Sequence, residues 1–113
     1  TAGVTLAPAA SAWVAVSDSA TKTGFHNVNL DVIATKFRDL GVRSYLIKGD
    51  PTKTRHIGVM ADKFNELFGD VITPKKVGDY NGLSHQDVDG VLMAMVHYLL
   101  GRVDALESKL KAA

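Results

Sequence analysis

The chain has 113 residues, a formal net charge of +1 and no cysteine. This length suits a single domain. A charge close to zero creates no strong field for nucleic acid or an anionic membrane, and we expect neither as a partner. Without cysteine the chain forms no disulfide and no thiolate zinc site, and cysteine usage therefore does not indicate its cellular compartment. No apolar run reaches the length that spans a membrane.

Residues 1–16 are mostly small and apolar. A search for targeting segments would select them as a signal peptide, but they lack a basic start and an initiator methionine, and Pro8 interrupts them. We interpret them as an extended arm with one strand through Ala12–Val16, and the chain as a fragment of something longer. The polar residues 17–24 that follow indicate a boundary.

The middle of the chain predicts a core of helices and a hairpin at about residues 25–82. Asn29 suits the N-cap of a helix that runs to about Leu40. Val42–Lys48 and Arg55–Val59 are typical of strands, and the turn-forming GDPTKT sequence between them predicts a hairpin.

A second helix is predicted from about Ala61 to Phe68, where Gly69 ends it. Phe64, Leu67 and Phe68 would face a core. We expect Val71–Ile72 to be a short extended piece and Pro74–Gly82 to be a polar loop. The fold class predicted from these elements is α+β and mostly helical.

The last third of the chain, about residues 84–111, predicts one long helix. Ser84 suits the N-cap, and Asp87 suits the positive end of the helix dipole. Such a helix would span roughly 40 Å, and the rest of the chain is too small to cover it. Six apolar residues follow the heptad spacing of a coiled coil: Leu92, Val96, Leu99, Val103, Leu106 and Leu110.

An amphipathic helix packed inside a monomer is the alternative interpretation of this segment. Before Leu99, apolar residues surround much of the helix, as in a buried core helix. After Arg102 the apolar stripe narrows to a seam that charged residues flank, which is typical of a coiled coil. We therefore expect self-association through the six seam residues. The seam has valine mainly at one of its two heptad positions and leucine at the other. By packing rules, this combination is compatible with both a dimer and a trimer.

The histidines have no pattern of a metal site. His26, His56, His85 and His97 lack the spacing of a helical metal pair, and no acidic cluster accompanies them. The chain also lacks a glycine-rich phosphate loop and a GxSxG nucleophile elbow. We expect no metal and no cofactor.

Ser17 and Lys22 are candidates for chemistry when they are considered together. A serine becomes a nucleophile only if a base takes its proton, and a lysine can do so when burial or a nearby cation favours its neutral form. This spacing alone is common by chance, and a solvated turn is the simpler interpretation. The surrounding motifs favour the catalytic interpretation of the two residues.

Several short motifs occur in a fixed order along the chain: Trp13, Ser17-Asp18 with Lys22, RHIGVMA at 55–61, YNGL at 80–83 and DALE at 104–107. Their order and spacing resemble the C-terminal intramolecular chaperone domain of bacteriophage tail spikes and tail fibres, the endosialidase type. The resemblance covers about residues 13–110. The chain departs from the family at three places. The family has Arg-Leu at the position of Ala20-Thr21 and an AQE sequence at the position of residues 61–63. It also has an aromatic residue at the position of Ser84-His85.

The resemblance implies a homotrimer that lies downstream of a trimeric β-structured fibre. Such domains align three chains and then release themselves by autoproteolysis just before the motif serine. The cleaved bond here would be Val16–Ser17, with Ser17 as the nucleophile and Lys22 as its base. The family also places the second hairpin strand beside the cleavage segment, which makes His56 a candidate helper. A purely structural strand histidine is the alternative for His56.

The resemblance also implies how the chain is divided. Residues 1–16 would be the tail of the upstream fibre, and residues 17–113 the chaperone domain, with its terminal helix in a trimeric coiled coil. Its partners would be its own copies and the upstream fibre or spike segment. It would act in the bacterial host cytoplasm during virion assembly, and then be released from the tail or retained on it.

Two other functions remain open from the sequence. One is a non-catalytic trimerisation or attachment module that stays on its fibre and makes no use of Ser17. The other is an unrelated α+β binding domain with a dimeric coil. The mass of the freshly expressed chain would distinguish the retained module from a self-cleaving domain. The size of the protein in solution would distinguish the dimeric binding domain from both.

Overall fold

The computed structural model describes residues 3–113, which form an α+β arrangement of three α-helices and three short hairpins. A 3₁₀ turn at Ser19–Thr21 follows the first hairpin. The elements in chain order are β1 (Val4–Thr5), β2 (Val14–Ala15), α1 (Leu30–Asp39), β3 (Arg43–Leu46), β4 (Arg55–Gly58), α2 (Ala61–Phe68), β5 (Lys75–Val77), β6 (Tyr80–Gly82) and α3 (His85–Ala112).

The strands pair only with their neighbours in the chain. β1 pairs with β2, β3 with β4 and β5 with β6, each in an antiparallel register. The predicted central hairpin is confirmed, with Arg43 opposite Gly58 and Leu46 opposite Arg55. Three separate two-stranded ribbons cannot bury a core by themselves, so the helices must supply it.

Helix α1 begins at its predicted cap. Asn29 Oδ1 accepts hydrogen bonds from the backbone N–H groups of Asp31 at 3.1 Å and Val32 at 3.3 Å. These bonds satisfy two of the amides that the first turn of a helix leaves without a partner.

Replacing Asn29 with alanine should lower the free energy of unfolding by about 1 kcal/mol, because both amides lose their acceptor. Urea unfolding at one fixed protein concentration measures the change. Asn27→Ala is the matched control, since Asn27 precedes the cap residue and does not cap α1. Equal stabilities for the two variants would show that the cap contributes nothing.

The core lies where α1, α2 and the first half of α3 meet. Phe64 and Phe68 of α2 are fully buried, with ring centroids 5.0 Å apart, and Leu67 packs against the same cluster. The predicted core face of α2 is therefore confirmed. The other buried apolar residues are Ile33, Ala34, Leu40, Val91 and Met95.

Two expectations for the segment after α2 were wrong. Val71 and Ile72 are not extended, because both of their amides donate to the Phe68 carbonyl at 3.0 Å and fold the chain into a turn. Residues 74–82 are not a loop but contain the β5–β6 hairpin. Gly78 has a φ of +60° and, with Asp79, forms the two-residue connection between the strands. A Gly-Asp pair between two short runs is a known hairpin signal.

Polar contacts attach the β5–β6 hairpin to both neighbouring helices. Asn65 Nδ2 of α2 donates to the Lys75 carbonyl at 3.3 Å and to Asn81 Oδ1 at 3.2 Å. Lys75 Nζ lies 3.1 Å from Asp87 Oδ2 in the first turn of α3. These contacts hold the beginning of α3 against the rest of the domain.

Helix α3 begins and ends close to the prediction. Ser84 Oγ accepts from the Asp87 N–H, and the helix continues through Ala112. Val91 and Met95 are buried against the core, whereas the six predicted seam residues remain between 46% and 76% exposed in the single chain. The chain therefore leaves an apolar stripe on α3 that it does not cover itself. In the part of the chain that the structure describes, no helix has the combined length and apolarity needed to cross a membrane.

Residues 3–16 fold back on themselves instead of forming one extended arm. A turn at Ala7–Ala10 connects β1 and β2, and Val14–Ala15 is the strand within the predicted Ala12–Val16 segment. The Val16 N–H donates to the Gly3 carbonyl at 2.7 Å and extends the pairing to the end of this segment.

Candidate functional site

The 3₁₀ turn at Ser19–Thr21 brings Lys22 back to Ser17. Asp18 caps the turn, since its carboxylate accepts from the Ala20 N–H at 2.8 Å. The Thr21 hydroxyl donates to the Asp18 carbonyl at 2.6 Å, and the Lys22 N–H donates to the Ser19 carbonyl at 3.1 Å. Asp18 therefore holds the turn, and its carboxylate makes no hydrogen bond with the Ser17 hydroxyl.

The consequence of this turn is a direct contact between the two candidate catalytic residues. Lys22 Nζ lies 2.8 Å from Ser17 Oγ. Both side chains are exposed in the single chain. At this distance a neutral lysine amine can take the proton of the serine hydroxyl.

The Val16–Ser17 peptide bond lies between two hydrogen-bonded segments. On its upstream side, the hydrogen bond from Val16 to Gly3 anchors the end of the first hairpin. On its downstream side, the turn that Asp18 caps begins at once. The bond is thus held at a junction, with the Ser17 hydroxyl on the residue that supplies its nitrogen.

A second side chain also contacts the serine. Gln86 Nε2, in the first turn of α3, donates to Ser17 Oγ at 3.3 Å. Gln86 is not among the site residues predicted from the sequence, and no signal in the sequence indicates it, because the two residues are 69 positions apart and share no motif.

A cleft of about 520 Å³ lies where the first hairpin meets the beginning of α3. It is lined by Val4, Trp13, Ala15, Ser84, His85, Gln86 and Asp89. Trp13, the first residue of the motif series, is 66% exposed, so its indole contributes an open apolar wall to this cleft.

Within residues 3–113 of one chain, no hydrogen bond joins His56 to Ser17. The His56 ring stacks on Tyr45, its partner across the β3–β4 pair, with ring centroids 5.8 Å apart. Within residues 3–113, the side chains that hydrogen-bond Ser17 Oγ are Lys22 and Gln86. A helper role for His56 stays a prediction.

Residues 3–113 hold no group of three or more histidine, aspartate or glutamate side chains placed to bind a metal ion. The side chains that hydrogen-bond Ser17 Oγ supply an amine and an amide. This is a donor set suited to positioning a hydroxyl and moving its proton.

Comparison with known proteins gives one family. The family model described as chaperone of endosialidase matches residues 17–73, just over half of the chain, and its match begins at Ser17. No curated protein and no solved structure matches the chain. The match supports a chaperone role, with a tail fibre or spike as the partner. On this match, the chain belongs to the chaperone of endosialidase family.

Proposed function

We propose that this domain trimerises, aligns the three chains of an upstream phage tail fibre or spike, and then releases itself by cleaving the Val16–Ser17 bond. The observation that carries the proposal is the 2.8 Å contact between Ser17 Oγ and Lys22 Nζ. It occurs at the residue where the family match begins. Residues 1–16 are then the tail of the fibre, and residues 17–113 are the chaperone.

The uncovered seam of α3 supports the assembly step. Its six residues repeat at heptad spacing, and the single chain leaves them exposed. A coil of three parallel helices would hold the three upstream arms together and raise their effective concentration. Strands that interwind over long sequence separations find their register slowly without such help. The host cytoplasm, where the virion is assembled, is the proposed site of action.

The first chemical step is an acyl shift from nitrogen to oxygen. Neutral Lys22 takes the proton of the Ser17 hydroxyl, and Oγ attacks the Val16 carbonyl carbon through a five-membered ring. The carbon–nitrogen bond then breaks, and the Ser17 nitrogen takes the proton from the Lys22 ammonium. The product is an ester between the Val16 carbonyl and Ser17 Oγ, with a free amine on Ser17.

The second step is hydrolysis of this ester. Water adds to the Val16 carbonyl carbon while Lys22 accepts its proton, and the bond to Oγ breaks. Oγ recovers a proton from Lys22. The step leaves a carboxyl group on Val16 and a new amino terminus at Ser17.

Assembly of the trimer can control these steps by changing the solvent exposure of Lys22. In the single chain Lys22 is exposed and donates to the serine, which is a resting arrangement. A lysine accepts a proton only in its neutral form, and burial favours that form. Neighbouring subunits that cover Ser17 and Lys22 would therefore start the cleavage after the trimer has formed.

The test follows the release of residues 17–113 from freshly expressed protein by mass spectrometry. Lys22→Ala should slow release by on the order of 10²-fold or more, the usual contribution of a positioned base. Lys22→Arg should fail similarly, because a guanidinium does not deprotonate at working pH. Lys48→Ala and Lys48→Arg are the matched controls, since Lys48 is an exposed lysine beyond the end of β3.

Equal release from the wild type and all Lys22 variants would remove Lys22 from the mechanism. If the wild type forms a trimer and releases nothing, the domain is instead a trimerisation module that stays attached to its fibre.

A further inference from the structure

We propose that Gln86 is a third catalytic residue, which donates a hydrogen bond to Ser17 Oγ and stabilises the negative charge that forms there during cleavage. The inference rests on the proposed self-cleavage and deepens it. It is carried by the 3.3 Å contact between Gln86 Nε2 and Ser17 Oγ. Gln86 lies outside residues 17–73, the part of the chain that the family model matches.

The chemistry of an amide suits this role. A serine hydroxyl accepts up to two hydrogen bonds, and Lys22 and Gln86 both donate to it here. When Lys22 becomes neutral, the hydroxyl turns its proton toward Lys22 Nζ, and that bond reverses direction. The Gln86 amide does not titrate, so its N–H continues to donate to Oγ in either state.

The amide therefore contributes most as the proton leaves. Oγ gains negative charge when its proton passes to Lys22, before its electron pair forms the bond to the Val16 carbonyl carbon. A donor already aimed at that oxygen lowers the barrier, because it needs no rearrangement at that moment. It also restrains the hydroxyl rotation in a side chain that is otherwise exposed.

The position of Gln86 depends on the docking of α3. Ser84 caps the helix just before it, and the ion pair between Lys75 and Asp87 holds the same turn against β5. Val91 anchors the next turn in the core. Gln86 thus reaches Ser17 only when the first turn of α3 is folded and seated. The helix that carries the oligomerisation seam also supplies a group to the cleavage site, which links the two events.

Two variants of Gln86 test the role. Gln86→Ala should slow the release of residues 17–113 by about tenfold, the effect of losing one hydrogen bond. Gln86→Glu should slow it further and shift its pH profile to higher pH, because the carboxylate repels charge on Oγ and favours the ammonium form of Lys22. His97→Ala is the control, since His97 is an exposed residue of α3 that lies outside the cleft and off the heptad seam. Its release should equal that of the wild type.

Release rates are measured across pH on samples whose trimer content is known from sedimentation. The inference is overturned if Gln86→Ala cleaves like the wild type, or if both Gln86 variants lose release only in proportion to lost trimer. It is also overturned if the pH profile of Gln86→Glu is unchanged. A wild-type trimer that releases nothing overturns the proposed self-cleavage together with this inference. Normal wild-type release that is insensitive to Gln86 overturns the inference alone.

Discussion

The Ser17→Ala variant is expected to keep residues 1–16 attached indefinitely while it assembles like the wild type. The hydroxyl is the only group on residue 17 that can attack the Val16 carbonyl through a five-membered ring, and alanine lacks it. The backbone of the following turn does not use the Ser17 side chain, since the capping contacts come from Asp18 and Thr21. Mass spectrometry over several days, with sedimentation in parallel, measures both properties.

Ser19→Ala is the matched control for this variant. Ser19 lies two residues downstream in the same exposed turn, and it contributes its backbone carbonyl to the Lys22 N–H, which alanine retains. We expect normal cleavage from it. Release of residues 17–113 from Ser17→Ala at the wild-type rate would rule out Ser17 as the nucleophile.

The second large effect is expected from aspartate at two positions of the seam. Leu99→Asp combined with Leu106→Asp should convert the proposed trimer to monomers or aggregates, because burying unpaired carboxylates between helices costs several kcal/mol for each ion. In the single chain these leucines are 58% and 53% exposed, so the same change does not disturb the core of one domain. Analytical ultracentrifugation gives the association state, and circular dichroism reports whether the helices remain.

The control places the same two charges on the opposite side of the helix. Ala105→Asp combined with Ser108→Asp adds aspartates at positions off the heptad seam, and we expect an unchanged trimer. A Leu99→Asp and Leu106→Asp variant that sediments as an ordinary trimer would contradict the proposed seam. If cleavage depends on assembly, the dissociated variant should also retain residues 1–16.

Features with a local cause were predictable from the sequence. The α1 cap depends on Asn29 and amides two and three residues later, and the α3 cap depends on Ser84 and an amide three residues later. The Ser17–Lys22 contact spans five residues and one 3₁₀ turn, so its geometry is also local. Its chemical meaning nevertheless came from the resemblance of the motif series and not from the spacing. The β5–β6 hairpin also has a local cause in its Gly78-Asp79 turn, although the polar residues around this turn are typical of a loop.

Sequence patterns alone predicted the three helices, the central hairpin, the heptad stripe of α3 and the pairing of Ser17 with Lys22. These features depend on periodicity and on hydrogen bonds between near neighbours. The contact of Gln86 with Ser17 and the stacking of His56 on Tyr45 within one chain become visible only in the folded chain. The Gln86 contact joins residues 69 positions apart. It depends on how α3 docks against α1 and the β5–β6 hairpin, and no local pattern encodes that docking.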